Sequence, residues 1–292
     1  MPRRVAVRDR WAMVPSVLAL GRRRLASLAM LAVLGTALVA PGATTATTAP
    51  VDDVVLTSLE TAMVSALNDD RTAHGLVPVR VDARLMAIAR ARSDNMVAND
   101  YFGHTQPDGQ NVFAILTAQH ITWYTAGEII AWNNYPLDST VSAANRQWMD
   151  SAGHRAIILS SNLNYVGVGL AIDPATGKKL WTAVFIKGPD RTAATAKAYT
   201  PKVMTGPTAT TRAVKIAWVG YDPRLQVLTS GLRSYTVQRS VDGGSWTTSL
   251  SSTTLRDKTF NLTLGHLYQF RISAHDRAGN QGAWVTKAID LR

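Results

Sequence analysis

Apolar residues fall into helical spacing at Leu56, Leu59, Met63 and Leu67, an i, i+3, i+7, i+11 series that places one face inward. His74-Gly75 breaks that predicted helix. Asp82 is a suitable N-cap for a second one, with Leu85, Ile88, Ala89 and Met96 on its inner face and Arg84, Arg90, Arg92 and Asp94 expected in solvent. A third helix is predicted after Asp138-Ser139, presenting Val141, Ala144, Trp148 and Met149 at i, i+3, i+7 and i+8. Two strands follow, Tyr165 to Ile172 and Leu180 to Ile186, joined by the reversal Asp173-Pro174-Ala175-Thr176-Gly177. Helices flanking a small antiparallel sheet predict an α/β/α sandwich over residues 51–189.

The pattern then changes. Residues 190–211 are rich in Ala, Thr, Lys and Pro with no helical apolar period, which predicts a linker. Beyond it the period is two: Val214, Ile216 and Trp218, then Tyr235 and Val237, then Tyr268, Phe270, Ile272 and Ala274 alternating with Gln269, Arg271 and Ser273. With turn chemistry at Asp242-Gly243-Gly244, residues 212–292 predict a small all-β sandwich. The fold class is therefore α+β, with an α/β/α sandwich followed by an all-β one.

Composition adds a leader to this picture. Arg3, Arg4, Arg8, Arg10 and Arg22-Arg23-Arg24 precede an uncharged apolar run from Leu25 to Ala40, as in an export signal, and residues 1–47 read as signal peptide and tether. The run is shorter than the roughly 20 residues a spanning helix needs, so membrane attachment is expected only if the leader stays uncleaved. Removing residues 1–47 takes away seven Arg and one Asp, and the formal charge falls from +11 to +5. No Lys/Arg cluster with interleaved aromatics suggests a nucleic-acid groove. The absence of cysteine excludes disulfides, thiolate metal sites and a cysteine nucleophile.

Several segments occur in the order of a known family: Asn68-Asp69-Asp70-Arg71, Asp82-Ala83-Arg84-Leu85, Asp100-Tyr101-Phe102-Gly103-His104-Thr105, Gly127-Glu128-Ile129-Ile130, Trp148 to Arg155, Val166-Gly167-Val168-Gly169 and Trp181 to Phe185. In these the first unit resembles the bacterial branch of the CAP superfamily, the SCP-like domains of cysteine-rich secretory, antigen 5 and pathogenesis-related proteins. The resemblance implies a central cleft where histidines and acids gather, in several relatives around a divalent cation. The positions carried over are His104, Glu128 and His154. Ile129 stands where the family has asparagine after the glutamate, and Asp150 is the nearest candidate for a second acid. The second unit resembles fibronectin type III modules through Trp218, Tyr235, Ser240 to Trp246 and Tyr268 to Asn280, with Tyr268 as a corner tyrosine and Trp218 in the core.

Imidazoles and a carboxylate suit zinc, calcium or magnesium to differing degrees, and an ion so held could activate water. Separations of 24 residues from His104 to Glu128 and 26 from Glu128 to His154 leave assembly of the site to the fold. The plainer alternative is that both histidines are satisfied by backbone carbonyls and Glu128 by backbone amides. Ser151, His154 and Asp150 crowd one turn and cannot form a nucleophilic triad. Trp123, Tyr124, Trp132 and Tyr135 surround Glu128 in sequence and could line an apolar groove.

The leading expectation is a secreted or envelope-associated binding protein with a cleft around His104, Glu128 and His154, taking a peptide, lipid or polyanion. The alternatives are a metal-assisted hydrolase with Glu128 as ligand or general base, and lipid or sterol binding without metal.

Overall fold

In the computed structural model, which describes residues 58–292, the first helical series forms α1 (Ser58–Ala73). The leader, the tether, Leu56 and the start of the first unit at residues 51–57 lie outside the described residues. After β1 (Arg80–Val81) comes α2 (Ala83–Ala98), capped as expected by Asp82, whose side chain accepts from the Arg84 amide. The elements α3 (Val112–Ala118), β2 (Thr125–Asn133), α4 (Thr140–Asp150), α5 (Ala152–Ile158), β3 (Tyr165–Ile172) and β4 (Lys179–Lys187) complete the first unit.

These strands form one sheet in the order β1-β3-β4-β2, parallel between β1 and β3 and antiparallel elsewhere. Strand β2 shows no burial alternation, because Ala126 to Ala131, Glu128 included, are buried on both faces. On one face α1, α4 and α5 pack Met63, Leu67, Trp148 and Ile158 against Val168 and Phe185. On the other, α2 and α3 pack Leu85, Ile88 and Leu116 against Val184 and Ile186. The expected three layers are present.

Gly167 and Gly169 bring α2 close to β3. A Cβ on Gly167 would meet the Leu85 carbonyl carbon at 2.0 Å, and one on Gly169 would meet that of Ala89 at 2.2 Å. Only glycine lets the helix lie directly on the strand at these two points. Ser93 fixes the contact further down, its hydroxyl donating to Gly169 O at 3.1 Å and to Thr182 Oγ1 at 2.9 Å.

The rest of the chain is β: β5 (Thr195–Ala198), β6 (Lys202–Thr205), β7 (Thr211–Tyr221), β8 (Leu232–Val241), β9 (Thr247–Thr253), β10 (Asp257–Thr263), β11 (Leu267–Asp276) and β12 (Val285–Asp290). One sheet has the order β10-β7-β5, with β6 also paired to β7, and the other β12-β11-β8-β9. Both contribute to a single core that includes Trp218, Val237, Phe270 and Ile272. The Tyr268 hydroxyl donates to Thr263 O and accepts from Thr263 N, both at 3.2 Å.

The span 190–211, expected as a linker, contains β5 and β6. Ala196 and Ala198 are buried and alternate with exposed Thr195 and Lys197, a strand period that small side chains disguise as low complexity. The loop between β7 and β8 also reaches the first unit: Leu225 is buried in the α2/α3 core, Gln226 Oε1 accepts from Val77 N at 2.6 Å, and Val227 O accepts from Asn164 Nδ2 at 3.0 Å. No helix among the described residues is long and apolar enough to cross a membrane.

Candidate functional site

Glu128 on β2 and Arg92 on α2 form the centre of the site. Along β2, Ile129 and Ala131 turn toward the α1/α4/α5 layer, whereas Glu128 meets α2. Arg92 is fully buried, contrary to its expected solvent position. Its place in α2 explains this: residue 92 is seven beyond Leu85, three beyond Ala89 and four before Met96, squarely on the apolar stripe.

Arg92 Nε donates to Glu128 Oε1 at 2.8 Å, and Nη2 approaches Oε2 at 3.4 Å. Nη1 donates to the Tyr101 hydroxyl and Nη2 to Gly103 O, each at 2.8 Å. Burial works against the Arg92 cation, but the hydrogen bond and charge of Glu128 outweigh it and raise its pKa above the ordinary arginine value. The Tyr101 hydroxyl donates in turn to Asn95 Oδ1 at 2.8 Å. One buried cation thus anchors both the carboxylate and the loop that carries His104.

His104 completes the arrangement. Its Nδ1 lies 2.8 Å from Glu128 Oε2, with the side chain 40% exposed. The structure therefore brings two of the three expected residues, His104 and Glu128, into direct contact. His154 is on α5 and lines a neighbouring cavity of about 460 Å³ with Phe102, Trp132, Tyr135, Gln147 and Trp148. Asp150 is exposed at the end of α4. Among the described residues, the one group of three or more acidic or histidine side chains with ligand atoms mutually within 4.8 Å is Asp190, Asp222 and Asp276. His104, Glu128 and His154 are not brought that close as a set.

Aromatic side chains form the rim of this cavity: Phe102 is 44% exposed, Trp132 43% and Tyr135 55%. No Asp, Glu, Lys or Arg lines it, although Lys178 Nζ stands 4.6 Å from the Trp132 ring. The connection bearing Tyr135 is held at its base, where Thr140 Oγ1 donates to Asn133 Oδ1 at 2.8 Å, Asn133 Nδ2 donates to Thr140 O, and Trp181 Nε1 donates to Thr140 Oγ1. Of the aromatic residues singled out from the sequence, Trp132 and Tyr135 belong to the cleft. Trp123 instead packs beside Phe113 with ring centroids 6.1 Å apart.

Residues 64–185 match the family model described as CAP, the cysteine-rich secretory protein family, a span that includes Arg92, His104, Glu128 and His154. The chain is 34% identical over 131 residues to the uncharacterized protein YkwD of Bacillus subtilis (strain 168), covering 45% of this chain and 48% of that one. It is 29% identical over 133 residues to the uncharacterized membrane protein YlbC of the same organism, covering 46% and 36%. The chain thus spans about half the length, or less, of these curated relatives. Among solved structures, an extracellular protein containing a SCP domain from Bacillus anthracis str. Ames aligns at 28% identity and a TM-score of 0.39, over 44% of this chain and 40% of that one. Residues 64–185 of the chain form a CAP domain.

Proposed function

We propose that the CAP domain is an extracytoplasmic binding module whose aromatic-rimmed cleft takes uncharged material of the cell envelope. The observation that carries this reading is the engagement of Glu128. Both of its oxygens are directed to Arg92 or His104, so the carboxylate positions the cleft wall rather than standing ready to take a proton from water. The cleft offers instead three partly exposed aromatic faces and amide groups from Asn134 and Gln147, a surface suited to stacking and neutral hydrogen bonds.

The divalent cation implied by the family fits this donor set poorly. An ion bound to Glu128 would share its oxygens with the Arg92 guanidinium, at 2.8 Å from one of them, and would meet that buried positive charge. Ligand binding in this reading needs no metal. Export through residues 1–47 puts the domain outside the cytoplasm, and the all-β unit, read as fibronectin type III-like from its corner tyrosine and buried Trp218, presents it there.

The test is co-sedimentation with purified bacterial cell-wall sacculi. The parent protein is expected in the pellet, and a Trp132→Ala/Tyr135→Ala variant is expected to bind at least about fivefold more weakly, as removal of two stacking groups worth about 0.5–1.5 kcal/mol each predicts. Equal binding by the two proteins overturns the assignment of the cleft.

A further inference from the structure

A second buried cluster lies where the first unit meets the all-β unit. Asp190 follows β4, Asp222 follows β7, and Asp276 ends β11. One carboxylate oxygen from each lies within 4.8 Å of those of the other two, and both Asp190 and Asp276 are buried. Among the described residues no Lys, Arg or His forms an ion pair with any of the three.

The same carboxylates hold the seam together. Asp190 Oδ2 accepts from Ser230 N at 2.7 Å and its Oδ1 from Thr192 N. Asn280 Nδ2 donates both to Asp276 Oδ2 and to the Asp190 carbonyl, which ties β11 to the exit of the CAP domain. Asp222 Oδ2 accepts from Gly231 N and the Ser230 hydroxyl, while its Oδ1 is buried with no hydrogen-bond partner. The charges that act on Asp222 are those of Asp190 and Asp276, and beside Asp276 stands His275, on which Arg233 also acts. His275 Nε2 is 2.9 Å from Thr236 Oγ1, and the Arg277 guanidinium lies over Gly231, 3.3 Å from where a Cβ would sit. Arg191, next to Asp190, is directed to Asp82 instead.

We propose that Asp190, Asp222 and Asp276 form an acid-tightened latch between the CAP domain and the all-β unit. With all three ionised, like charges crowd a partly buried space and Oδ1 of Asp222 lacks a protein donor. A proton taken from solvent by Asp222 removes one charge and supplies an O–H for a neighbouring carboxylate. The titration has the matching sign: burial first, then the charges of Asp190 and Asp276, raise the Asp222 pKa against the opposing Gly231 and Ser230 hydrogen bonds. A raised folded-state value means this stabilisation is complete below the unfolded carboxylate pKa of about 4 and is lost as pH rises through the folded one.

The test is thermal unfolding of the full chain at pH 4.5 and 7.5, for the parent, Asp222→Asn and Asp276→Asn. At pH 7.5 at least one variant is expected to melt about 2–4 °C above the parent, with the difference shrinking or reversing at pH 4.5. Two variants are used because either carboxamide could disturb its own loop. Both melting at or below the parent at pH 7.5 overturns the latch. So does a parent stabilised by calcium at pH 7.5 while the variants are not, since the seam would then be an ion site.

Discussion

Two guanidiniums are buried in the CAP domain, and each meets the cost of leaving water differently. Arg71 has no carboxylate partner: Nη1 donates to Ile158 O and Ser160 O and Nε to Val77 O, and burial pushes its pKa down to about 10. Arg92 has Glu128, and its pKa rises. Removing one member of a buried pair strands the other, so Glu128→Gln is expected to lower unfolding stability by about 3 kcal/mol in a denaturant titration. Arg92→Met with Glu128→Gln is expected to recover part of that loss; a double variant as unstable as the sum of the singles would show that the pair is not coupled. His104, Glu128 and His154 were legible as candidates from short motifs around them. Arg92 was not, because arginine was assigned to solvent by type, yet its position on the stripe with Leu85, Ala89 and Met96 carried the signal. Asp82 titrates in the opposite sense to Asp222. Burial raises its pKa, but the hydrogen bonds and charges of Arg84 and Arg191 prevail and lower it. Its contribution is present above about pH 4 and lost below it, so Asp82→Asn is expected to flatten the acid limb of a stability profile measured from pH 3 to 6.

At the scale of elements, the site depends on how closely α2 approaches β3. The glycines at 167 and 169 set that distance, and the distance delivers Arg92 to Glu128 on the same side of the sheet. Gly169→Ala would drive a Cβ into the backbone of Ala89, and a loss of about 3 kcal/mol or failure to fold is expected by circular dichroism under denaturant. Gly177 in the β3–β4 turn provides a control: it has φ +69° but open space, so Gly177→Asn should cost far less. Helices α1, α2 and α4 and strands β3 and β4 were readable because each has one apolar face or a bounded apolar run. Strands β2 and β5 were not: β2 is covered on both sides, and the buried positions of β5 are alanines that carry little hydrophobic contrast.

At the scale of the molecule, the change of period near residue 212 marks strand β7, but the β core already begins at β5, and its contact with the α2/α3 layer was not legible. Leu225 looks like an ordinary loop leucine in sequence, and only the fold places it in the α2/α3 core. Leu225→Ala is expected to cost about 2–3 kcal/mol and to speed amide exchange in α2 and α3, although the residue belongs to a loop of the all-β unit. The same loop carries Asp222 at one end and Ser230 at the other, so seam packing and the aspartate latch are parts of one connection. The proposed function predicts that the cleft beside Arg92, Glu128 and His104 retains envelope material without cleaving it. The most direct measurement incubates the protein with purified sacculi, with and without a chelator, and quantifies retained protein and released soluble fragments in the same sample. The predicted result is retention unaffected by chelation and no release above the protein-free control. Release that disappears on chelation and in Glu128→Gln would contradict the account and make the site a metal-assisted hydrolase.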